Sequence, residues 1–278
     1  MIGIVIVSYR SDDRTVSFIR EELCKVEDSH SIVVVDNGAS PEEAESLAAR
    51  LPGVKVIASE NGGYSKGNNL GASWLRENVR PDKILFCNND IRLSSGRVVE
   101  TLAETFGSDS RIGAVGPEVV GLDGLRQSPE PYMGLWKRYV WMYLSSPFLS
   151  MKRKRKVFNL DYPAQAQEGF HYKLSGSFLM VDAEAFFRAG MFDENTFLYA
   201  EENILSERLA AIGKGCWFCP SVRVVHEHGS TVNAHFRRRE SALMQFRSMA
   251  YYYNRYKGYS RLSTVLAGWV FRAVLLVR

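Results

Sequence analysis

The chain has 278 residues, 46% of them hydrophobic and 24% charged, enough for a substantial core in one large domain or two small ones. Its formal charge of +4 is too small to expect a nucleic-acid partner unless the charge is concentrated, which it is only at Lys152-Arg153-Lys154-Arg155-Lys156 and Arg237-Arg238-Arg239; no nucleic-acid partner is expected. No run reaches the roughly 18 uninterrupted apolar residues of a membrane span; the nearest, residues 262–277, is broken by Arg272 and reads as an amphipathic helix lying on a surface.

In chain order, Ile2-Gly3-Ile4-Val5-Ile6-Val7 is a continuous β-branched run, as expected of a strand buried on both faces of a parallel sheet. Helical spacing follows over residues 13–26, with a cap at Ser11 or Asp12, and then a second strand, Ile32-Val33-Val34-Val35, is cut off by Asp36-Asn37-Gly38. Ser40-Pro41-Glu42-Glu43 combines a cap, a first-turn proline and early acids, which starts a helix reaching Arg50. Val54-Lys55-Val56-Ile57 is a third strand, residues 67–78 a third helix, and Ile84-Leu85-Phe86-Cys87 a fourth strand. A helix over 94–106 comes next. The alternation predicts an α/β fold with a doubly wound, mostly parallel sheet flanked by helices.

After Arg111-Ile112-Gly113-Ala114-Val115-Gly116-Pro117 the alternation stops. Residues 121–167 are irregular, aromatic (Trp136, Tyr139, Trp141, Tyr143, Phe148) and basic. They read either as a long functional loop or lid touching a membrane, or as a locally packed helical insert with a solvated basic end. Regular pattern resumes with a strand at Phe178-Leu179-Met180-Val181, helices over 182–189 and 204–212, and strand-like runs at 216–219 and 222–225. The four cysteines, Cys24, Cys87, Cys216 and Cys219, are few, and a strand pattern begins at once after Met1, so a reducing cytoplasm is expected. Cys216-Trp217-Phe218-Cys219 is a lone C-x-x-C in an apolar run and reads as buried thiols.

Polar clusters fall where strands end, the edge at which open α/β sheets bind ligands. Asp36-Asn37-Gly38 offers a carboxylate and an amide to a ribose or base, or is a plain turn. Asn61-Gly62-Gly63-Tyr64-Ser65-Lys66-Gly67-Asn68-Asn69 is a glycine-rich loop opening a helix; its amides can approach a ligand and Lys66 can meet a phosphate, although the spacing is not that of a P-loop. Asn88-Asn89-Asp90 brings a hard carboxylate suited to Mg²⁺ or Mn²⁺, or caps a turn. Glu201-Glu202-Asn203 places adjacent acids at a helix start, either as complements of the helix dipole or with one serving as general base. His226-Glu227-His228 follows the last strand, and His226, the first after it, is the preferred additional metal ligand over His228.

Taken in order, the segments Ile4-Val5-Ile6-Val7-Ser8-Tyr9, Val33-Val34-Val35-Asp36-Asn37-Gly38-Ala39-Ser40, Asn61-Gly62-Gly63 with Gly67-Asn68-Asn69-Leu70-Gly71, Asn88-Asn89-Asp90, Leu174-Ser175-Gly176-Ser177-Phe178-Leu179-Met180, Gly190-Met191-Phe192-Asp193-Glu194 and Phe197-Leu198-Tyr199-Ala200-Glu201-Glu202 carry a resemblance. They resemble the family 2 glycosyltransferases of the GT-A fold, in particular the rhamnosyltransferase-like branch of polysaccharide biosynthesis. The resemblance implies a metal-dependent, inverting transfer of a sugar from a nucleoside-diphosphate sugar to a hydroxyl of a glycan or lipid-linked acceptor. It implies that Ser8, Tyr9, Asp36, Asn37, Asn61, Gly62, Lys66, Asn68, Asn69, Asn88 and Asn89 surround the nucleotide. By the same resemblance Asp90 holds Mg²⁺ or Mn²⁺, with His226 the additional ligand read from its place at the strand end, and Glu202, beside Glu201, is the catalytic base.

Two departures stand out. Asn88 takes the first position of the family's D-x-D motif, which removes one charge; Glu202 stands where the family has aspartate, and a later family aspartate is replaced by Ile204. The expected division is a nucleotide-sugar-binding half at 1–120, an acceptor and catalytic-base half at 121–230 with the long loop 121–167, and a helical, membrane-associated tail at 231–278. A homo-oligomer and a peripheral place on the inner face of the cell membrane complete the expectations. The alternatives are a nucleotidyltransferase that makes nucleotide sugars, which usually has a glycine-rich phosphate loop where this chain has Ser8-Tyr9-Arg10-Ser11-Asp12, and a non-catalytic nucleotide-binding scaffold.

Overall fold

A computed structural model describes residues 1–227 and 238–277, so the sequence readings on His228 and Arg237 lie outside the described residues, as does the side chain of Arg238. The first half alternates as expected: β1 (Ile2–Ser8), α1 (Asp12–Glu21), β2 (His30–Asn37), α2 (Pro41–Arg50), β3 (Lys55–Ser59), α3 (Tyr64–Asn78) and β4 (Lys83–Cys87). β5 (Ile91–Leu93), α4 (Val98–Thr105) and β6 (Ile112–Val120) follow. Next come α5 (Met142–Ser145), α6 (Met151–Phe158), α7 (Tyr162–Gln165), β7 (Gly169–His171), β8 (Phe178–Asp182), α8 (Ala183–Arg188), α9 (Glu201–Ala211), β9 (Gly215–His226), α10 (Arg238–Tyr256) and α11 (Arg261–Val277).

One sheet runs in the order β3-β2-β1-β4-β8-β6-β9-β5, with β7 also on β9. β1 pairs parallel with β2 and β4, β2 with β3, and β6 with β9. Only β8, inserted between β4 and β6, and the short β5 and β7 run antiparallel to their neighbours. The inner strands carry no polar face because two apolar layers cover them. Ile4, Ile6, Val34, Leu85 and Cys87 enter one core with Val16 and Ile19 of α1 and Leu47 of α2. Val5, Val33, Val35, Ile84 and Phe86 alternate into a second core with Leu75 of α3, Phe186 of α8 and Leu205 of α9.

Local signals hold well in this half. The cap, first-turn proline and early acids expected at α2 are present, and the cap proves reciprocal: Ser40 accepts the Glu43 amide while the Glu43 carboxylate accepts the Ser40 amide. The two strand-like runs at 216–219 and 222–225 form one strand, β9, with a register shift opposite Pro117 and Glu118. Cys216 and Cys219 are buried free thiols on it, and burial pushes the Cys216 thiol up to about 11.

Residues 121–167 are largely helical and packed rather than an irregular loop. A π-helical turn at Lys137–Trp141 joins α5, and Leu135, Tyr139 and Tyr143 recur every fourth residue to face the C-terminal helices. Tyr139 and Tyr143 meet Phe271 of α11 at ring-centroid distances of 5.2 and 5.1 Å, and Phe246 of α10 completes the cluster. Residues 135–143 of the insert and α10–α11 form a helical cap with its own core, into which Ile204 of α9 projects. Among the described residues no helix is long and apolar enough to cross a membrane.

Candidate active site at the carboxyl edge of the sheet

Because β1, β2 and β4 are parallel, their carboxyl ends share one edge, and a cavity of about 590 Å³ opens there. Of the predicted residues, Tyr9, Asn37, Asn61, Asn88, Asn89, Asp90, Glu201, Glu202 and His226 line it. Ser8, Asp36, Gly62, Lys66, Asn68 and Asn69 do not. Ser8 is fully buried and receives the Thr15 hydroxyl at 3.0 Å; Asn89 donates from behind to Ser11 and Thr15 at 2.9 and 2.8 Å, so this network fixes the turn that presents Asn88 and Asp90. Asp36 is buried beside it, and burial, then Asp12 and Glu43, raise its carboxyl to about 6.

Side chains position the glycine-rich loop. Asn37 donates to Asn61 Oδ1 at 3.1 Å and accepts the Gly62 amide at 3.3 Å. Gly63, at φ +87°, lets the backbone approach so closely that a Cβ would stand 2.1 Å from the Phe197 carbonyl oxygen, which accepts the Tyr64 amide at 2.8 Å. Asn68 caps back onto the Tyr64 carbonyl, and Asn69 is spent on the Phe192 backbone and Glu194. Lys66 is exposed outside the cavity.

His226 reaches Asp90 through sheet topology, since β5 and β9 pair antiparallel with Ile91 opposite His226. Its Nε2 lies 3.3 Å from Asp90 Oδ1, and its Nδ1 donates to Gln127 Oε1 at 2.8 Å. That donation turns the Nε2 lone pair toward a carboxylate oxygen, an arrangement a proton or a cation between them would relieve. The donor set, one carboxylate oxygen and one imidazole nitrogen, fits Mg²⁺ or Mn²⁺. Among the described residues no group of three or more His, Cys, Asp or Glu side chains is arranged to hold a metal ion, so substrate phosphates and water would complete the coordination.

Across the cavity, α9 begins after two consecutive non-glycine residues in the left-handed region, Tyr199 at φ 70° and Ala200 at φ 69°. This tight entry, strained for L-residues, delivers both acids. Glu202 Oε1 accepts the Gly176 amide at 3.1 Å, and a Cβ on Gly176 would lie 2.9 Å from that oxygen. Glu201 is buried with Oε2 unpartnered among the described residues; burial, and next the Glu202 charge, hold its carboxyl well above the usual range. Tyr64 is likewise kept as a phenol, and it donates to the Gly176 carbonyl at 2.9 Å.

Several lining residues carry no signal in their local sequence: Gln127, Glu130, Arg138 and Lys173, together with Ser241, Gln245 and Met249 of α10. Ser175 and Ser177 also line the cavity and lie in the segment Leu174-Ser175-Gly176-Ser177-Phe178-Leu179-Met180, which carries the family resemblance but no expected role.

A family model described as glycosyltransferase like family 2 matches residues 2–242. An N-acetylglucosaminyl-diphospho-decaprenol L-rhamnosyltransferase of Mycobacterium tuberculosis is 26% identical over 247 residues, which is 81% of this chain and 76% of that protein. Among solved structures, the mannosyltransferase PcManGT of Pyrobaculum calidifontis, in complex with GDP-Man and Mn²⁺, aligns with a TM-score of 0.58 at 12% identity, covering 99% of this chain and 74% of that one. S. aureus TarS 1-349 in complex with UDP-GlcNAc aligns with a TM-score of 0.57 at 12% identity, covering 99% and 71%. These two likenesses establish the architecture.

Proposed function

The chain belongs to the glycosyltransferase like family 2, with the GT-A fold, and from that premise we propose that it is an inverting, divalent-metal-dependent rhamnosyl- or hexosyltransferase. Its donor is a nucleoside-diphosphate sugar, and its acceptor a hydroxyl of a lipid-linked saccharide in cell-surface polysaccharide synthesis; the name of the mycobacterial relative gives that protein a diphospho-decaprenol-linked acceptor. The observation that carries this reading is one cavity with the Asn88-Asn89-Asp90 turn and His226 at one wall and Glu202 at another.

Tyr9, Asn37, Asn61 and Asn88 offer the polar edge for the nucleoside. Asp90 and His226 would hold the metal, which when bound offsets charge on the departing diphosphate. Glu202 takes the proton of the acceptor hydroxyl as its oxygen attacks the anomeric carbon from the face opposite the diphosphate. Glu202 reaches one methylene further than aspartate, and the Gly176 amide fixes where that extra length points. The workplace we assign is the cytoplasmic face of the cell membrane, supported by the basic run on α6 and the exposed apolar side of α11.

Thermal unfolding with dTDP-rhamnose, UDP-galactose and UDP-glucose, each with Mn²⁺ and with a chelator, tests the reading. A ligand at 100 times its Kd stabilises the folded state by about 2.7 kcal/mol, and a true donor raises the midpoint only with the metal present. Absence of metal-dependent stabilisation by every nucleotide sugar tried overturns it.

A further inference from the structure

One strip of chain orders the cavity from end to end. Ser177 accepts the Asn88 amide at 2.9 Å, Gly176 binds Glu202, Ser175 binds the Ser128 hydroxyl at 3.0 Å, and the Lys173 carbonyl accepts the Glu130 amide at 2.9 Å. Asn88 and Asp90 therefore lie toward one end, Glu202 in the middle, and Lys173 beyond it. At that far end Arg138, from the π-helical turn of the insert, joins Lys173 on the cavity lining.

The charges there are unusual. Lys173 has a side chain only 12% exposed and lies 2.8 Å from Glu130, whose carboxylate is the one acid of the cavity lining beyond Glu201, Glu202 and Asp90. Arg138 is half-buried and forms no salt bridge among the described residues; its guanidinium sits 5.9 Å from the Tyr139 ring centroid. Two cations thus share a single adjacent carboxylate. Burial works against the charge on Lys173, but Glu130 and Glu202 outweigh it and hold the ammonium charged. A half-buried guanidinium that senses Glu130 but forms no direct salt bridge among the described residues, facing a cavity, keeps donors for the planar oxygens of a phosphate.

We propose that Arg138 and Lys173 form a second anion subsite, separated from the Asp90 end by Glu202, which takes the phosphate or diphosphate ester of the acceptor. This rests on the glycosyltransferase reading, and it names what the acceptor must carry: a phosphate ester close to the sugar whose hydroxyl reacts. The phosphate holds the acceptor while Glu202 meets the hydroxyl, so the subsite selects phosphate-linked over free saccharides.

The test uses the full chain saturated with UDP or dTDP and Mn²⁺, so that the donor end is filled, and then titrated calorimetrically with geranyl diphosphate, geranyl monophosphate and geraniol. The phosphorylated probes bind and geraniol does not. Arg138→Gln weakens the diphosphate probe by about 10- to 100-fold, the loss of a charged hydrogen-bond pair, while Arg138→Lys recovers part of it. Nucleoside diphosphate affinity is unchanged in both variants. Equal probe affinity in wild type and Arg138→Gln overturns the subsite, and so does no probe binding by a wild type that binds nucleotide. A fall in nucleotide affinity in Arg138→Gln assigns the arginine to the donor's diphosphate instead. A wild type that fails to bind any nucleotide counts against the donor reading, a result separable from the other three.

Discussion

The carboxylate of Glu202 is anchored on the Gly176 amide, whereas the Oε2 of Glu201 is buried without a partner among the described residues. Burial first and the neighbouring charge second raise the Glu201 carboxyl well above the usual carboxylate range, whereas Glu202 is held by a backbone amide, so the two adjacent acids stand in different environments. Glu202→Gln therefore loses about 10²- to 10⁴-fold in turnover with donor binding intact. Glu201→Gln, which keeps the side chain's shape, loses under about tenfold in steady-state assays; the opposite ranking would transfer the base to Glu201. Asp36 makes a separate statement about pH. Burial, Asp12 and Glu43 raise its carboxyl from 3.8 to about 6, so between those values the folded state holds a proton that the unfolded chain has released. Folding stability from this group is full below about pH 3.8 and is lost as pH rises through about 6. Asp36→Asn flattens that part of the melting-temperature profile between pH 4 and 7, and an unaltered profile would place the titration elsewhere.

At the scale of elements, the helical cap links the stability of the C-terminus to the geometry of the cavity. Ser241, Gln245 and Met249 of α10 line the cavity, while Phe246 and Met249 sit in the cap core with Phe271, which is 1% exposed. Tyr251 and Tyr256 of α10 also donate to Asp193 at 3.0 and 2.6 Å, tying the helix to the segment before α9. Phe271→Ala should cost about 3–5 kcal/mol by emptying this core, and hydrogen exchange should quicken in α10, α11 and residues 135–143 while β1 and β4 stay protected. Uniform loss of protection would mean the cap and the sheet unfold as one unit. The same elements explain what could be read from sequence. β1, β2 and β4 were legible because burial on two faces writes itself as an unbroken apolar run, and α2 because Ser40 and Glu43 cap it within four residues. The cap was not, because Tyr139 becomes core only through Phe271, more than a hundred positions away. Among site residues, Asn88 and Asp90 were visible as a polar stop to an apolar strand. Arg138 and Lys173 carry no local mark, since only the fold brings them to one wall.

The molecule as a whole has one face that its own fold does not account for. Along α11 the residues Leu262, Val265, Leu266, Trp269 and Leu276 are 66%, 48%, 40%, 64% and 75% exposed, at spacings of three, four and seven that place them on one side. The opposite side, with Ala267 and Phe271, is buried in the cap, so the helix is apolar on both sides and covered on one. Trp141 and Phe148 of the insert are exposed as well, and Lys152 to Lys156 lie on the adjoining α6. Exposed indoles and aliphatic side chains on the cap, with a basic helix following Phe148 in the chain, match the layered chemistry of an anionic bilayer surface better than that of water. At about 1 kcal/mol per basic side chain near such a surface, replacing the five residues 152–156 by Gln should weaken binding to phosphatidylglycerol vesicles by roughly fivefold per charge at low salt. Leu266→Glu with Trp269→Glu should remove the binding altogether, in co-sedimentation with vesicles, and should slow transfer to a vesicle-embedded acceptor while sparing a water-soluble one. Because both residues are exposed, the substitutions leave the cap core intact. If the wild type ignores the vesicles and instead sediments as a dimer that these two substitutions dissociate, the apolar side of α11 is a contact between subunits, and the basic run on α6 then serves the acceptor rather than the membrane.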